Sequence, residues 1–284
     1  MTDSAPIEIQ NRSGLTLRGE SWGKESDAPV LFLHGGGQTR HAWGATAVAL
    51  ADQGLRAITL DARGHGKSDQ SPQGHYKFLD FADDLIDWME SLQQRPMLVG
   101  ASLGGITSLV VEGQLKPGSA SAIVLVDITP RFEPEGVGRI VDFMRAAPDG
   151  FASLEEAADA VARYLPHRPR PKNLNGLRKN LREGKDGRFR WHWDPRIMTE
   201  GNLKPPEDGG GIPLRDAARA LDLPTLLVRG AMSDVVSPEG AREFLEDVPE
   251  AEFVDVSDAR HMVAGDSNNA FTEAIVGFLK KVHS

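Results

Sequence analysis

Short apolar runs typical of β-strands alternate with longer helical patterns along most of this chain. The first of six such runs begins at Pro29. The six runs occupy residues 29–34, 55–61, 96–100, 122–127, 224–230 and 251–256. The helical patterns lie near 41–52, 78–92, 103–115, 237–246 and 268–281. This alternation indicates βαβ units around a parallel sheet, and strands that are apolar throughout indicate helices on both faces of that sheet.

Two further strands are predicted before this series. The segments IEIQ (7–10) and LTLRGE (15–20) alternate apolar and polar residues, which is typical of half-buried strands in an antiparallel hairpin. Residues 11–14 would form the turn. We therefore expect an α/β protein with a mostly parallel central sheet of about eight strands, flanked by helices.

The alternation stops between about residues 130 and 212. Three helices are predicted there, at 138–147, 153–165 and 171–184, and Ser153 with Glu156 would form a capping box at the start of the second. We expect a core of residues 1–129 and 213–284, interrupted by a helical insertion at 130–212. Residues 163–196 carry eleven Lys or Arg against three Asp or Glu. We favour a solvated surface for them, with anion binding as the alternative.

Composition excludes several classes of protein. A chain of 284 residues with 40% apolar and 26% charged residues is ordinary for a soluble globular protein, and a net charge of −9 disfavours general nucleic-acid binding. The absence of cysteine excludes disulfides, thiolate metal sites and a cysteine nucleophile. The N-terminal residues do not resemble a signal peptide, and the longest uncharged apolar run, 97–111, is too short for a membrane span. We expect a cytoplasmic protein, with its oligomeric state left open.

One serine lies where a predicted strand meets a predicted helix. Ser102 is the central residue of GASLG (100–104), which has the G-x-S-x-G pattern of a nucleophile elbow. In such a turn the serine backbone is strained, its Oγ is exposed above the sheet, and side chains at the two glycines would collide with neighbouring backbone. The context predicts that Ser102 is a nucleophile.

A serine nucleophile needs a base, an orienting carboxylate and donors for the developing oxyanion. His261 lies in the loop between the last predicted strand and helix, and Asp234 follows the strand at 224–230. We predict that His261 is the base and that Asp234 orients it. The glycine-rich loop after the strand at 29–34 would supply the N–H of Gly36, and Leu103 would supply the second N–H; Gly37 is the alternative to Gly36.

These motifs together resemble the α/β-hydrolase fold superfamily, in particular its lidded, esterase-like serine enzymes. The matching segments are HGGG (34–37), DARGHGKSD (61–69), GASLGG (100–105), GAMSD (230–234) and ARHMVAGD (259–266). The resemblance implies an α/β-hydrolase fold in which residues 130–212 form the lid. It also implies an alternative acid, Asp127, because some members carry the acid after the corresponding strand. It assigns His65 to a tight structural turn.

We therefore expect a serine hydrolase that cleaves a small-molecule carboxylic ester through an acyl-enzyme. Family members also include lactonases, thioesterases, C–C bond hydrolases and hormone receptors, and these functions remain alternatives. No metal-ligand pattern, phosphate loop or dinucleotide fingerprint occurs, so we expect no cofactor. Phe189, Trp191 and Trp193 would lie on one side of an extended segment. We expect Trp191 or Trp193 to contact substrate, with packing inside the lid as the alternative, and His192 to serve lid packing or the surface.

Overall fold

The computed structural model describes residues 4–166, 170, 174–199, 201–203, 213–257, 259–261 and 268–283. The strands are β1 (Ala5–Gln10), β2 (Thr16–Trp22), β3 (Pro29–Leu33), β4 (Arg56–Leu60), β5 (Met97–Ala101), β6 (Ala122–Val126), β7 (Leu181–Glu183), β8 (Phe189–Trp191), β9 (Thr225–Gly230) and β10 (Glu252–Val256). The α-helices are α1 (Gly44–Ala51), α2 (Phe78–Glu90), α3 (Leu103–Val110), α4 (Pro134–Arg145), α5 (Leu154–Tyr164), α6 (Asn175–Arg178), α7 (Leu214–Arg219), α8 (Pro238–Asp247) and α9 (Asn268–His283).

Eight strands form the central sheet, in the order β1-β2-β4-β3-β5-β6-β9-β10. The pairs β1–β2 and β2–β4 are antiparallel, and the remaining pairs are parallel. This arrangement confirms the predicted fold class, including the opening hairpin.

The two faces of the sheet are covered by different helices. On one face, residues such as Leu31 and Leu98 pack with α2, α3, α7 and α8 in one apolar cluster. On the other face, Phe32 and Val99 pack with α1 and α9 in a second cluster. Neighbouring strand residues thus enter opposite clusters, as the two-residue period of a strand requires. Since both faces are buried, these strands are apolar throughout.

The parallel strands carry the loops of the candidate site at their carboxyl ends. β3 leads into the glycine-rich loop at 34–37, β5 ends one residue before Ser102, and β6 ends one residue before Asp127. β10 is followed closely by His261. In sheets of this kind, ligands bind beyond the carboxyl ends of the strands, because the connecting loops converge there.

The described residues of the insertion contain helices and a small separate sheet. α4 begins at Pro134, earlier than predicted, because a proline is well suited to the first turn of a helix. α5 begins as predicted after Ser153, whose Oγ accepts the N–H of Glu156 at 3.1 Å.

The third predicted helix, 171–184, is wrong for most of the part that the structure describes. Only Asn175–Arg178 is α-helical there, and β7 pairs antiparallel with β8. The pair is joined through Asp186 and Gly187, and Gly187 has a φ of +74°, a conformation that glycine adopts without strain. The Asp-Gly pair is a hairpin signal, and burial of Leu181 against Phe151 favours the strand over the local helical pattern.

Candidate active site

Ser102 lies in a sharp turn between β5 and α3, with φ 46° and ψ −113°. The turn leaves no room for side chains at its glycines. A Cβ on Gly100 would lie 2.4 Å from the carbonyl oxygen of Gly104, and one on Gly104 would lie 2.4 Å from that of Leu33. A non-glycine residue at positive φ is strained, and such strain persists only where the surrounding structure enforces it. The backbone therefore has the predicted strand-turn-helix form of a nucleophile elbow.

His261 is paired with a buried carboxylate. Its Nδ1 lies 2.8 Å from Oδ2 of Asp127, and the Asp127 side chain is fully buried. The other contacts of this carboxylate are donors, since Oδ1 accepts the N–H of Gly230 at 3.0 Å and Oδ2 accepts the hydroxyl of Ser233 at 2.5 Å. An ionised carboxylate only accepts hydrogen bonds, so Nδ1 of His261 carries the hydrogen, which leaves Nε2 of a neutral ring as an acceptor.

The structure corrects the prediction that Asp234 orients His261. Asp234 accepts two hydrogen bonds from Arg139 of α4, at 3.1 and 2.5 Å, and its side chain is 39% exposed. After β9 the chain turns so that Ser233 points to Asp127, while the backbone of Asp234 packs closely on Gly136 of α4. The position of Asp234 after a strand was a valid signal, but the turn directs its side chain to the insertion.

The amides of Gly36 and Leu103 are available to a substrate oxygen. Neither N–H donates to an acceptor within the part of the chain that the structure describes, and Leu103 is the first residue of α3. The N–H of Gly37, in contrast, donates to Nε2 of His65 at 3.1 Å. Gly37 is therefore a poor alternative to Gly36, because its amide is already engaged.

Three buried histidines hold the glycine-rich loop that contains the amides of Gly36 and Gly37. The rings of His34 and His65 lie 5.0 Å apart, and those of His65 and His192 lie 5.9 Å apart. Each ring accepts one backbone N–H, from Ala62, Gly37 and Gly66 respectively, and each has its second nitrogen near a backbone carbonyl oxygen. His192 belongs to the insertion, and its Nε2 lies 3.3 Å from the carbonyl oxygen of Gly37.

All three of these rings are neutral at ordinary pH. Burial lowers the pKa of His65 to about 3. It also lowers the pKa of His34, and it places that of His192 well below its usual value. The family resemblance implies a structural turn at His65, and His192 is expected in lid packing or at the surface. No local pattern of residues indicates that both rings contact Gly37.

A sequence model of the α/β hydrolase fold matches residues 28–267. The chain belongs to the α/β-hydrolase fold family. It is 30% identical to an esterase of Mycobacterium tuberculosis, over 96% of this chain and 89% of that protein. It is 29% identical to an sn-1-specific diacylglycerol lipase of Mus musculus, over 88% of this chain and 80% of the lipase. Among solved structures, an α/β hydrolase of Novosphingobium aromaticivorans superposes with a TM-score of 0.82 at 25% identity, over 99% of both chains.

Two cavities of this hydrolase meet at Ser102. The first, which we call the His261 cavity, has a volume of about 710 Å³ including its open mouth, and it is lined by residues that include His261, Trp43 and Tyr164. The second, which we call the apolar cavity, has a volume of about 820 Å³ including its open mouth, and it is lined by residues that include Ile106, Phe132, Val141 and Leu203. Both cavities also contain Gly36, Ile140 and Met144. An ester carbonyl at Ser102 could thus extend one substituent into each cavity.

Neither Trp191 nor Trp193 lines the His261 cavity or the apolar cavity. Their rings stack on each other with centroids 4.9 Å apart, and Trp191 also packs against Phe143 and Phe151 at 5.3 and 5.2 Å. Packing within the insertion accounts for these ring contacts, and substrate contact by Trp191 or Trp193 stays a prediction. They do line a third cavity, which is described below.

The described part of the chain contains no cluster of three or more His, Cys, Asp or Glu side chains suited to a metal ion. Within the same residues, no helix is both long enough and apolar enough to cross a membrane.

Proposed function

We propose that this hydrolase cleaves carboxylic esters through an acyl-enzyme on Ser102, with His261 as the base and Asp127 as the residue that orients it. The hydrogen bond between His261 and the buried Asp127 carries the proposal, because it fixes the tautomer that leaves Nε2 free to accept a proton. His261 and Ser102 also line the same cavity, as a nucleophile and its base must.

In the first half of the reaction, Nε2 of His261 accepts the hydroxyl proton as Oγ of Ser102 attacks the carbonyl carbon of the ester. The negative charge that develops on the carbonyl oxygen is stabilised by the amides of Gly36 and Leu103. The tetrahedral intermediate then breaks its bond to the alcohol oxygen. That oxygen leaves with the proton held by Nε2, and the acyl group stays on Ser102.

In the second half, a water molecule takes the place of the alcohol. His261 accepts a proton from the water as its oxygen attacks the acyl carbon, and the same two amides stabilise the second oxyanion. Breakage of the bond to Oγ releases the carboxylic acid, and Nε2 returns the proton to Ser102. The buried carboxylate of Asp127 stabilises the imidazolium in both halves without taking up a proton.

The relatives support ester cleavage as the reaction. The names of the two similar proteins described above specify an esterase and a lipase, and both enzymes are similar to this chain over most of its length. The lining of the apolar cavity is mostly hydrocarbon, with Arg145 as its charged residue, and this fits an uncharged hydrocarbon substituent next to the ester.

Labelling and turnover of a Ser102→Ala variant test the proposal. A fluorophosphonate probe should label the wild-type protein once, at Ser102, and the variant should lose the label. Its kcat on an activated ester should fall by at least about a thousandfold, since members of a catalytic triad act as a unit. Ser26→Ala, at an exposed serine, is the matched control and should keep both properties. Labelling of a different residue, or retained turnover in Ser102→Ala, would refute the assignment.

A substrate panel distinguishes ester cleavage from the other reactions of this family. Purified protein should turn over simple esters many times in the presence of EDTA, and more efficiently than lactones, thioesters or dienone-type C–C substrates. A preference for one of the other classes would change the proposed substrate class and leave the proposed role of Ser102 unchanged. A single stoichiometric burst without turnover would indicate a ligand receptor.

A further inference from the structure

A third cavity lies on the insertion side of the apolar cavity. It has a volume of about 960 Å³, including its open mouth, and three arginines line it: Arg145, Arg182 and Arg190. It shares Met144, Arg145 and Met198 with the apolar cavity, and the apolar cavity contains Ser102. The shared residues make the two cavities neighbours, so an extended substrate at Ser102 could pass from one to the other. We call the third one the arginine cavity.

Two of these arginines have no carboxylate partner. Arg145 donates through Nε and Nη2 to the carbonyl oxygen of Met198, at 3.2 and 2.9 Å, and Arg182 donates through Nη2 to the carbonyl oxygen of Gly66. Among the described residues, no Asp or Glu lies within ion-pair distance of either guanidinium. A carbonyl oxygen orients a guanidinium without neutralising it, and it leaves other N–H groups of the fork free to donate.

The remaining charged groups of the arginine cavity nearly cancel. Arg190 is paired through two nitrogens with Asp186, at 2.9 and 2.6 Å. Glu183 is the acidic residue in the lining, and it lies 3.4 Å from Arg178. The positive charge of the cavity therefore comes from Arg145 and Arg182. These two belong to different elements, α4 and β7, and both are anchored to backbone carbonyls.

We infer that Arg145 and Arg182 bind an anionic group of the substrate, at the end remote from the ester. The preferred substrate would then be an ester whose hydrocarbon part occupies the apolar cavity and ends in a carboxylate or a phosphate. Planar guanidinium groups bind both of these anions through paired hydrogen bonds. This inference rests on the proposed ester hydrolysis at Ser102. It also gives part of the basic segment 163–196 a binding role, in place of the solvated surface that we favoured from the sequence.

Matched pairs of esters test the inference. Each pair is a 4-nitrophenyl ester of a straight-chain acid with a methyl end and the ester of the same length with a carboxylate end. A second series carries a phosphate end, and a third places the carboxylate on the alcohol side. The measured quantity is the ratio of kcat/KM for the charged and the neutral ester. In the wild type, one chain length should give a ratio of at least about ten, because a hydrogen-bonded charge pair changes binding by about tenfold or more.

Variants of the two arginines should lower this ratio. Arg145→Gln and Arg182→Gln should each reduce it about three- to tenfold, and the double variant should bring it near one. The ratio for Arg145→Lys should lie between those of the wild type and Arg145→Gln, because lysine keeps the charge and loses the paired hydrogen-bond geometry. Arg242→Gln, at an exposed arginine of α8 far along the chain, is the control and should leave the ratio unchanged.

The outcomes separate this inference from the proposed function. If the wild type hydrolyses neutral and charged esters with a ratio near one at every chain length, the anion site is refuted and ester hydrolysis stands. The same holds if the ratio is high but insensitive to both arginines. If neither kind of ester is turned over, the proposed function itself fails. A phosphate ratio above the carboxylate ratio would identify the phosphate as the preferred anion, and a preference only in the third series would place the anion on the alcohol.

Discussion

Two groups of histidines in this hydrolase differ in what their rings contact. His261 has a buried carboxylate, Asp127, on Nδ1. The rings of His34, His65 and His192 are bonded to backbone amides and carbonyls instead. A carboxylate stabilises the protonated ring, so His261 is suited to accept a proton during a reaction. A protonated ring could not accept the backbone N–H that each of the other three receives, so they are suited to remain neutral and hold the backbone.

The hydrogen-bond partner of a histidine therefore indicates its role better than its position near Ser102 does. His65 and His192 lie beside the loop that supplies Gly36, yet protonation of either would break a hydrogen bond that fixes that region. We thus propose proton transfer for the histidine on one side of the site, whereas the three on the other side position the backbone.

Removal of the carboxylate should have the largest effect. Asp127→Asn keeps the shape of the side chain, but an amide can neither fix the required tautomer nor stabilise the imidazolium. We expect kcat on an activated ester to fall on the order of ten-thousandfold in a folded protein, as judged by circular dichroism. A loss below about tenfold would show that His261 does not depend on Asp127, and the contrast between the two groups of histidines would not hold.

Removal of a backbone-bonded histidine should have a smaller effect on activity. His192→Ala leaves the N–H of Gly66 and the carbonyl of Gly37 without their partner, which loosens the loop that carries Gly36. We expect kcat to fall about ten- to hundredfold with a smaller change in KM, because the amides act on the transition state. His192→Gln can restore one of the two bonds and should recover part of the loss. A change confined to KM would assign His192 to substrate binding.

Acid should destabilise the fold through the same three histidines. Their pKa values are lowered in the folded protein, to about 3 for His65, whereas an unfolded histidine titrates near 6.5. The unfolded chain therefore binds more protons, so this stability is complete above about pH 6.5 and decreases as the pH falls below it; for His65 the loss continues towards pH 3. His65 can contribute about 1 kcal/mol per pH unit in that window.

Urea denaturation at pH 7.5, 6.0 and 5.0 measures this dependence. The free energy of unfolding should decrease on acidification, and His65→Gln should show a shallower slope than the wild type. Equal slopes in the two proteins would show that His65 is not held neutral by the fold.

Asp234 should have the smallest effect. Its pair with Arg139 is largely exposed, and exposed ion pairs contribute at most about 1 kcal/mol. We expect Asp234→Asn to keep kcat/KM within about threefold and to change the melting temperature only slightly. Arg139→Gln should match it, and the double variant should add little. A loss comparable to that of Asp127→Asn would return the orienting role to Asp234.

The sequence alone determined the architecture and the position of the elbow. The apolar runs predict the strands because a sheet covered on both faces requires apolar residues throughout, and this signal is local. The pattern around Ser102 is local as well. Glycine is required at 100 and 104 by contacts within one turn and the adjoining strand, so the elbow is predictable from a short segment. His261 and the loop containing Gly36 each follow a strand that the sequence predicts, so their positions after those strands are predictable too.

Tertiary structure alone decided which groups meet. Asp127 and Asp234 both follow strands of the sheet, and the choice between them depends on how the loop after β9 turns against α4. The hairpin of β7 and β8 replaced a predicted helix because burial of Leu181 and an Asp-Gly turn outweighed a local pattern. His192 reaches Gly37 across 155 positions of sequence. Such contacts are made when distant segments pack together, and no local pattern of residues encodes them.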